Sequence, residues 1–255
     1  MADKLIDLSR QSSGNRTSKI GSNRRQANPS VFSPTTNDDF AMKLLFWNAY
    51  HGFQQSKRHM LKPNARQNAF ANHIAAKNPD VAILLEMTGF TDETMAKYAE
   101  NWGHKHYALT PGEFPFAVTA TDFIRKPWYQ AGKMKHGFFM VTIDSLRIVI
   151  AHIPPEEYSD RASEAREILS PLIHMLNDNQ PFLLLADLNC KIGSPLHGAL
   201  KSIGLHPLGD WEGVNHAFAS PNLSEFVLDA TQDNGEQRSK LSDHAPLILE
   251  IAPPS

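Results

Sequence analysis

From Met42 onward, short runs of apolar residues alternate with amphipathic stretches. Apolar side chains dominate successive positions in Leu44–Trp47 (LLFW), Val81–Leu85 (VAILL), Phe138–Ile143 (FFMVTI), Arg147–Ala151 (RIVIA) and Phe182–Ala186 (FLLLA). Ala217–Ala219 and Pro246–Ile251 (PLILEI) complete the set. Such runs predict strands covered on both faces, because a strand with one wet face alternates apolar with polar residues. Helices are predicted over Ala65–Lys77, ended by Asn78-Pro79, and over Asp92–Asn101 behind a Thr91 cap. Two more are predicted over roughly Asp160–Asn177, broken or kinked at Pro171, and near Leu196–Ile203. Strands interleaved with helices make a mixed α/β or α+β domain.

The polar residues that follow the strands carry the chemistry. LLFW runs into Asn48, VAILL into Glu86, RIVIA into His152, and FLLLA into Asp187-Leu188-Asn189. In α/β folds the C-terminal edge of the strands is where ligand sites form. Asp243-His244 instead precede PLILEI, so that strand must run antiparallel to the others to reach the same edge, and the sheet arrangement is mixed. Each residue alone reads as a cap, a turn or a satisfied histidine; five such strand ends together do not. Oxygens from Asn48, Glu86, Asp187, Asn189 and Asp243, with no cysteine among them, favour a hard cation such as magnesium or manganese. Two imidazoles beside such a cation suit phosphate, whose oxygens they can hydrogen-bond.

Other chemistries drop out. Ser242, Asp243 and His244 are consecutive and cannot form a hydrolase triad of the usual geometry. There is no G-x-S-x-G elbow, GxxxxGK[ST] loop or G-x-G-x-x-G run. His104-Lys105-His106 reads as a surface strand in preference to a metal pair.

Composition sets outer bounds. The chain has 255 residues, 41% of them hydrophobic, and a formal net charge of -2. That allows a full core and no global basic field, so any polyanion-binding surface must be a local patch. One cysteine, Cys190, excludes an internal disulfide framework and a thiolate-rich zinc site. Residues 1–40, with the polar stretch Arg10–Arg25 (RQSSGNRTSKIGSNRR), are expected to form a disordered tail, and residues 41–255 the domain. No apolar run is long enough to span a bilayer. The N-terminus lacks a secretory core, so a cytoplasmic location without stable membrane association is the default expectation.

The segments KLLFWNAYHGF, PDVAILLE, RIVIAHIPP, FLLLADLNC, VNHAFASPNL and LSDHAPLILEI, in this order, resemble the endonuclease/exonuclease/phosphatase superfamily. That group includes pancreatic-type deoxyribonucleases, abasic-site endonucleases, sphingomyelinases and inositol polyphosphate 5-phosphatases. The resemblance implies a four-layer sandwich, two packed mixed β-sheets flanked by helices, with a metal site at one edge. It implies Mg2+ or Mn2+ held by Glu86 with Asn48 and Asp243. Asp187 would activate the attacking water, Asn189 would position it, and His152 and His244 would clamp the scissile phosphate. Asn215 stands where the family usually has an aspartate paired with the histidine of Ser-Asp-His. It is expected to hydrogen-bond His244 without supplying charge, so that Asn215→Asp would raise turnover near neutrality. Ala186 replaces a usual glycine, which is tolerated if φ stays negative.

The segments typical of inositol phosphatases are missing, and Leu85-Glu86-Met87 stands where abasic endonucleases carry Gln-Glu-Thr-Lys. The reading is therefore a nuclease acting on DNA or RNA. The alternatives are a phosphomonoesterase or lipid phosphodiesterase on the same scaffold, or a catalytically weak module that binds phosphorylated ligands. An inhibitor protein as partner is neither indicated nor excluded. Two local basic clusters could serve a polyanion: Lys57, Arg58, Lys62 and Arg66, and Arg125, Lys126, Lys133 and Lys135 with Trp128 and Tyr129. Gly112–Val118 (GEFPFAV) is a weak candidate for a membrane-docking loop.

Overall fold

A computed structural model describes residues 41–130, 134–155, 160–235 and 238–252; the tail predicted over 1–40 lies outside them. The strands are β1 (Met42–Asn48), β2 (Val81–Leu85), β3 (His106–Leu109), β4 (Ala117–Ala120), β5 (Ile124–Gln130), β6 (Phe138–Ile143), β7 (Leu146–His152), β8 (Phe182–Asp187), β9 (His206–Pro207), β10 (Asn215–Ala219), β11 (Val227–Gln232) and β12 (Leu247–Ile251). The helices are α1 (Pro63–Lys77), α2 (Asp92–Asn101), α3 (Arg161–Asn177), α4 (Pro195–Ser202), α5 (Pro221–Ser224) and α6 (Arg238–Leu241).

Two six-stranded sheets result, in the orders β11-β12-β1-β2-β4-β3 and β5-β6-β7-β8-β10-β9. Each is mixed: β1 and β2 are parallel, as are β7 and β8, while β12 runs antiparallel to β1 as its polar residues required. The sheets pack on a shared core containing Leu44, Phe46, Ile83, Val141, Ile150 and Leu185. A second cluster packs α3 and α4 on the outer face of β7 and β8 through Ile168, Leu172, Leu200 and Leu184. A third packs α1 and α2 on the outer face of β1 and β2 through Phe70, Ile74, Met95, Trp47 and Leu84. Burial on both faces explains the unbroken apolar runs, and the result is the expected four-layer sandwich.

Thr91 caps α2 through a capping box with Thr94, as its position suggested. Of the break or kink expected at Pro171, the break does not occur: α3 runs through it. Ile168 and Leu172, buried against the second sheet on either side, hold the helix where one backbone hydrogen bond is lost. Ala186 lies in regular strand, packed among the α3 and α4 side chains.

Candidate active site

Strand alternation decides where the strand-end residues point. In β1, Leu44 and Phe46 face the inter-sheet core and Leu45 and Trp47 the helices, so Asn48 falls on the inner face. The same count takes Ile148 and Ile150 to His152 in β7, and Leu183 and Leu185 to Asp187 in β8. Register then sets His152 beside Asp187 and Asp187 beside Asn215, one row across three strands. Glu86 breaks the rule. Val81, Ile83 and Leu85 face inward, so an extended residue 86 would point toward the helices. Its φ of 56° turns it back to the site, a conformation that costs an L-residue about 1–2 kcal/mol.

The side chains meet between the sheets. Asn48 Nδ2 donates to Glu86 Oε1 at 2.9 Å and to Asp187 Oδ2 at 3.0 Å. Asn48 Oδ1 accepts the Tyr50 N–H at 2.8 Å. His152 Nε2 lies 3.7 Å from Glu86 Oε1 and 3.9 Å from Asp187 Oδ2, and 3.5 Å from Asn189 Nδ2. His244 Nδ1 lies 3.4 Å from Asp187 Oδ2. Asp187 is fully buried, and its Oδ1 accepts the Asn189 N–H at 3.0 Å.

The Ser242–Ala245 turn is tied to β1, which is why Asp243 and His244 arrive here. Ser242 Oγ donates to Asn48 O at 2.7 Å and accepts the His244 N–H at 3.1 Å, and Trp47 Nε1 donates to His244 O at 2.8 Å. Asp243 Oδ2 pairs with Lys57 Nζ at 2.5 Å, and this bond is the main cause of the raised Lys57 pKa. The expected Asn215–His244 hydrogen bond is not made. Asn215 Nδ2 donates to Ala245 O at 3.1 Å and its Oδ1 is buried without a partner. The His244 imidazole faces the Asp187 carboxylate instead, since a full charge outcompetes a neutral amide for it.

Sequence reasoning missed four residues at the site: His51, Lys57 as a partner of Asp243, Phe114 and His136. After β1 the chain makes a left-handed turn, with φ of 51°, 54°, 56° and 71° at Tyr50, His51, Gly52 and Phe53. The turn aims the His51 N–H at Glu86 Oε2, 2.9 Å away. Only glycine fits at 52, where a Cβ would lie 2.0 Å from Thr88 O. Beneath the turn sits Arg66, fully buried, donating to Tyr50 O at 3.2 Å and to Met60 Sδ at 3.1 Å. Arg66 is thus a support of the loop and no part of a basic surface. His136 Nδ1 is 3.0 Å from His152 Nδ1, one ring donating to the other. Burial foremost, then the neighbouring His152, lowers the His136 pKa to about 2, so the ring is neutral. The signal was present in the antiparallel pairing of β6 with β7: Phe138 opposite Ala151 brings the residues before β6 to the edge where β7 ends.

These groups border a cavity of about 340 Å³ whose wall includes Glu86, Phe114, His136, His152, Asp243 and His244. Among the described residues no cluster of three or more His, Cys, Asp or Glu forms a ready-made metal cage. Magnesium does not need one, because it keeps several waters and takes one or two carboxylates. Glu86 and Asp243 offer that all-oxygen set, and Asp243 Oδ1, buried without a hydrogen bond and with His244 Nε2 3.5 Å away, is an oxygen a cation would satisfy. The Asn48 oxygen accepts the Tyr50 N–H, and its amide nitrogen bridges the Glu86 and Asp187 carboxylates.

The other expected surfaces resolve differently. His104 is a buried histidine with Thr119 Oγ1 at 2.6 Å and Pro79 O at 2.7 Å, and only His106 belongs to a strand. In GEFPFAV, Phe116, Ala117 and Val118 are core residues, so the stretch offers no apolar loop. Among the described residues no helix is long and apolar enough to cross a membrane. On β5, Tyr129 packs toward Phe116, whereas Trp128, edge-on to Phe138, remains 43% exposed; Lys133 lies outside the described residues.

A family model described as the Endonuclease/Exonuclease/phosphatase family matches residues 45–244. A search of curated proteins finds no match. Among solved structures, the human Nocturnin catalytic domain with bound sulfate superposes with a TM-score of 0.64 at 13% identity, covering 84% of this chain and 94% of that one. An AP endonuclease from Archaeoglobus fulgidus gives 0.61 at 13% identity, over 82% and 99% of the two chains. The 3' phosphatase NExo from Neisseria, bound to a product DNA hairpin, gives 0.59 at 16% identity, over 83% and 100%.

Proposed function

Because the chain belongs to the endonuclease/exonuclease/phosphatase family, we propose that it is a divalent-metal-dependent phosphodiester hydrolase whose substrate is nucleic acid. The observation that carries this reading is the meeting of Asn48, Glu86, His152, Asp187 and His244 at one edge of two sheets, within hydrogen-bonding or ion-pairing distance. A magnesium or manganese ion, when bound, stabilises charge that builds on the phosphate. Glu86 would hold it with Asp243, and Asn48 would fix Glu86 and Asp187.

Asp187 takes the proton of the attacking water, and Asn189 orients that water. Asp187 suits the task because Asn48 Nδ2 and the Asn189 N–H fix its two oxygens. His152 and His244 turn their nitrogens toward the same carboxylates and would donate to the nonbridging oxygens as water attacks phosphorus in line. Asn215 contributes by holding Ala245 O, and through it the turn that carries His244. NExo, one of the similar folds, was solved with a DNA hairpin, which favours nucleic acid among phosphodiesters.

The test is incubation with plasmid DNA, RNA and a phosphomonoester, with magnesium and with chelator. Metal-dependent strand cleavage, lost in Glu86→Ala and Asp187→Ala, is expected. Hydrolysis of the monoester alone, or binding of phosphate ligands without turnover, overturns the reading.

A further inference from the structure

Five rings follow one another along the wall of the cavity. From Tyr50 the row passes to His51 with centroids 4.9 Å apart, to Phe114 at 5.7 Å, to His136 at 4.2 Å and to His152 at 4.1 Å. All five line the same cavity. The row begins on the left-handed turn after β1 and ends on the ring whose Nε2 is 3.7 Å from Glu86 Oε1.

Packing alone does not account for the outer half of this row. His51 and Phe114 are only half-buried, although each is large enough to fill core space; Tyr50, also half-buried, carries Lys57 Nζ and the Arg66 guanidinium over its ring at 4.9 and 5.6 Å. Phe114 is also held in place from both sides. The Met87 N–H donates to Pro115 O at 2.9 Å, Thr88 Oγ1 to Glu113 O at 2.9 Å, and the Phe116 N–H to Thr110 Oγ1 at 2.8 Å. A hydrocarbon ring fixed this firmly beside Glu86 and Asp243 does nothing for a phosphate. It matches a flat, uncharged group attached to one. The neutral His136 behind it extends the same uncharged face toward the phosphate-binding end.

Resting on the phosphodiesterase reading, we infer that the row from Tyr50 to His136 is a base-stacking subsite for the nucleotide at the scissile phosphate. The substrate it selects is single-stranded nucleic acid, because a base stacked on Phe114 has left its partner strand. The cavity size agrees. At about 340 Å³ it lies near the lower end of small-ligand sites, a size that suits a single nucleotide.

The experiment measures kcat/KM in magnesium or manganese on an oligothymidylate, an equally long strand of base-free tetrahydrofuran phosphates, and the oligothymidylate paired with its complement. The wild-type chain is expected to favour the unpaired, base-bearing strand over both others by about tenfold or more. Phe114→Leu should shrink the preference for bases over the base-free strand by a similar factor, and Phe114→Trp should keep it. Equal rates on base-bearing and base-free strands, preference for the paired duplex, or an unchanged ratio in Phe114→Leu overturns the subsite while leaving the phosphodiesterase reading in place. Failure to cleave any of the three overturns both.

Discussion

Asn48 bears more of the site than its size suggests, and replacing it by leucine measures how much. Leucine has nearly the same volume, so the change opens little cavity. It removes the donor to Glu86 Oε1 at 2.9 Å and to Asp187 Oδ2 at 3.0 Å, and the acceptor of the Tyr50 N–H at 2.8 Å. A hydrogen bond to a charged group contributes about 1.5–3 kcal/mol and a neutral one about 1 kcal/mol, for a gross loss of about 4–7 kcal/mol. Burial of the leucine side chain offsets roughly 2 kcal/mol. The net loss is about 2–5 kcal/mol, a large share of a typical domain stability of about 5–15 kcal/mol. Urea denaturation followed by tryptophan fluorescence, with the buried Trp47 next in the chain, reads this as a lower midpoint at unchanged slope. Asn48→Asp should be worse still, since it sets a third carboxylate against the other two. A loss under about 1 kcal/mol for the leucine variant would show that the carboxylates do not depend on this amide, and the geometry argued for the site would fail.

Three further outcomes follow from the same structure. Gly52→Ala drives a Cβ to 2.0 Å from Thr88 O at a φ of 56°. It should cost about 2–4 kcal/mol by urea denaturation, and a loss under about 1 kcal/mol would mean the turn relaxes freely. Arg66→Met removes a buried guanidinium whose Nε has no hydrogen-bond partner. Stability should therefore hold within about 1 kcal/mol, while turnover falls about tenfold as Tyr50 O loses its donor; turnover at the wild-type level would contradict the loop's role. His136, with its folded pKa lowered to about 2 chiefly by burial, stays neutral where the unfolded chain binds a proton below about pH 6.5. The unfolded state then holds the extra proton, so stability falls as pH drops below that value, by up to about 1.4 kcal/mol per pH unit for this group. His136→Asn should flatten the slope between pH 6 and pH 5 by about that amount, and an unchanged slope would show that the ring is not held neutral.

Most of the buried centre of each sheet was legible because two-sided burial writes an unbroken apolar run: β2 and β6 fall on the residues predicted, and β1, β7 and β8 extend them by one or two residues at an end. The four strands at the sheet edges, β3, β5, β9 and β11, were not, since each has one flank without a partner and a mixed, partly exposed composition; β4, interior and fully buried, was missed as well, because its four residues AVTA make too short and too polar a run to stand out. The site followed the same division. Asn48, His152 and Asp187 were visible because an apolar run delivers each to a strand end. His136 was hidden because it precedes its strand, and becomes a site residue only through the antiparallel pairing with β7. Arg66 read as a surface cation because charge is seldom buried unpaired; the left-handed turn above it, which uses its donors, has no signature beyond Gly52. Asn215 was found through resemblance to a family motif, but its partner is Ala245 O, a choice made by the competition between Asp187 and the amide for His244.

The central claim is that carboxylates from two different sheets, Glu86 at the end of β2 and Asp187 at the end of β8, serve one hydrolytic centre. A double-mutant cycle on oligonucleotide cleavage tests it: kcat for wild type, Glu86→Gln, Asp187→Asn and the combined variant, with folding of each checked by denaturation. Residues of one centre are grossly non-additive, so each single change should cost about a thousandfold and the pair hardly more than either. Losses that multiply would mean that the two carboxylates act independently, and that the edge where the sheets meet is not the place where the phosphodiester is cleaved.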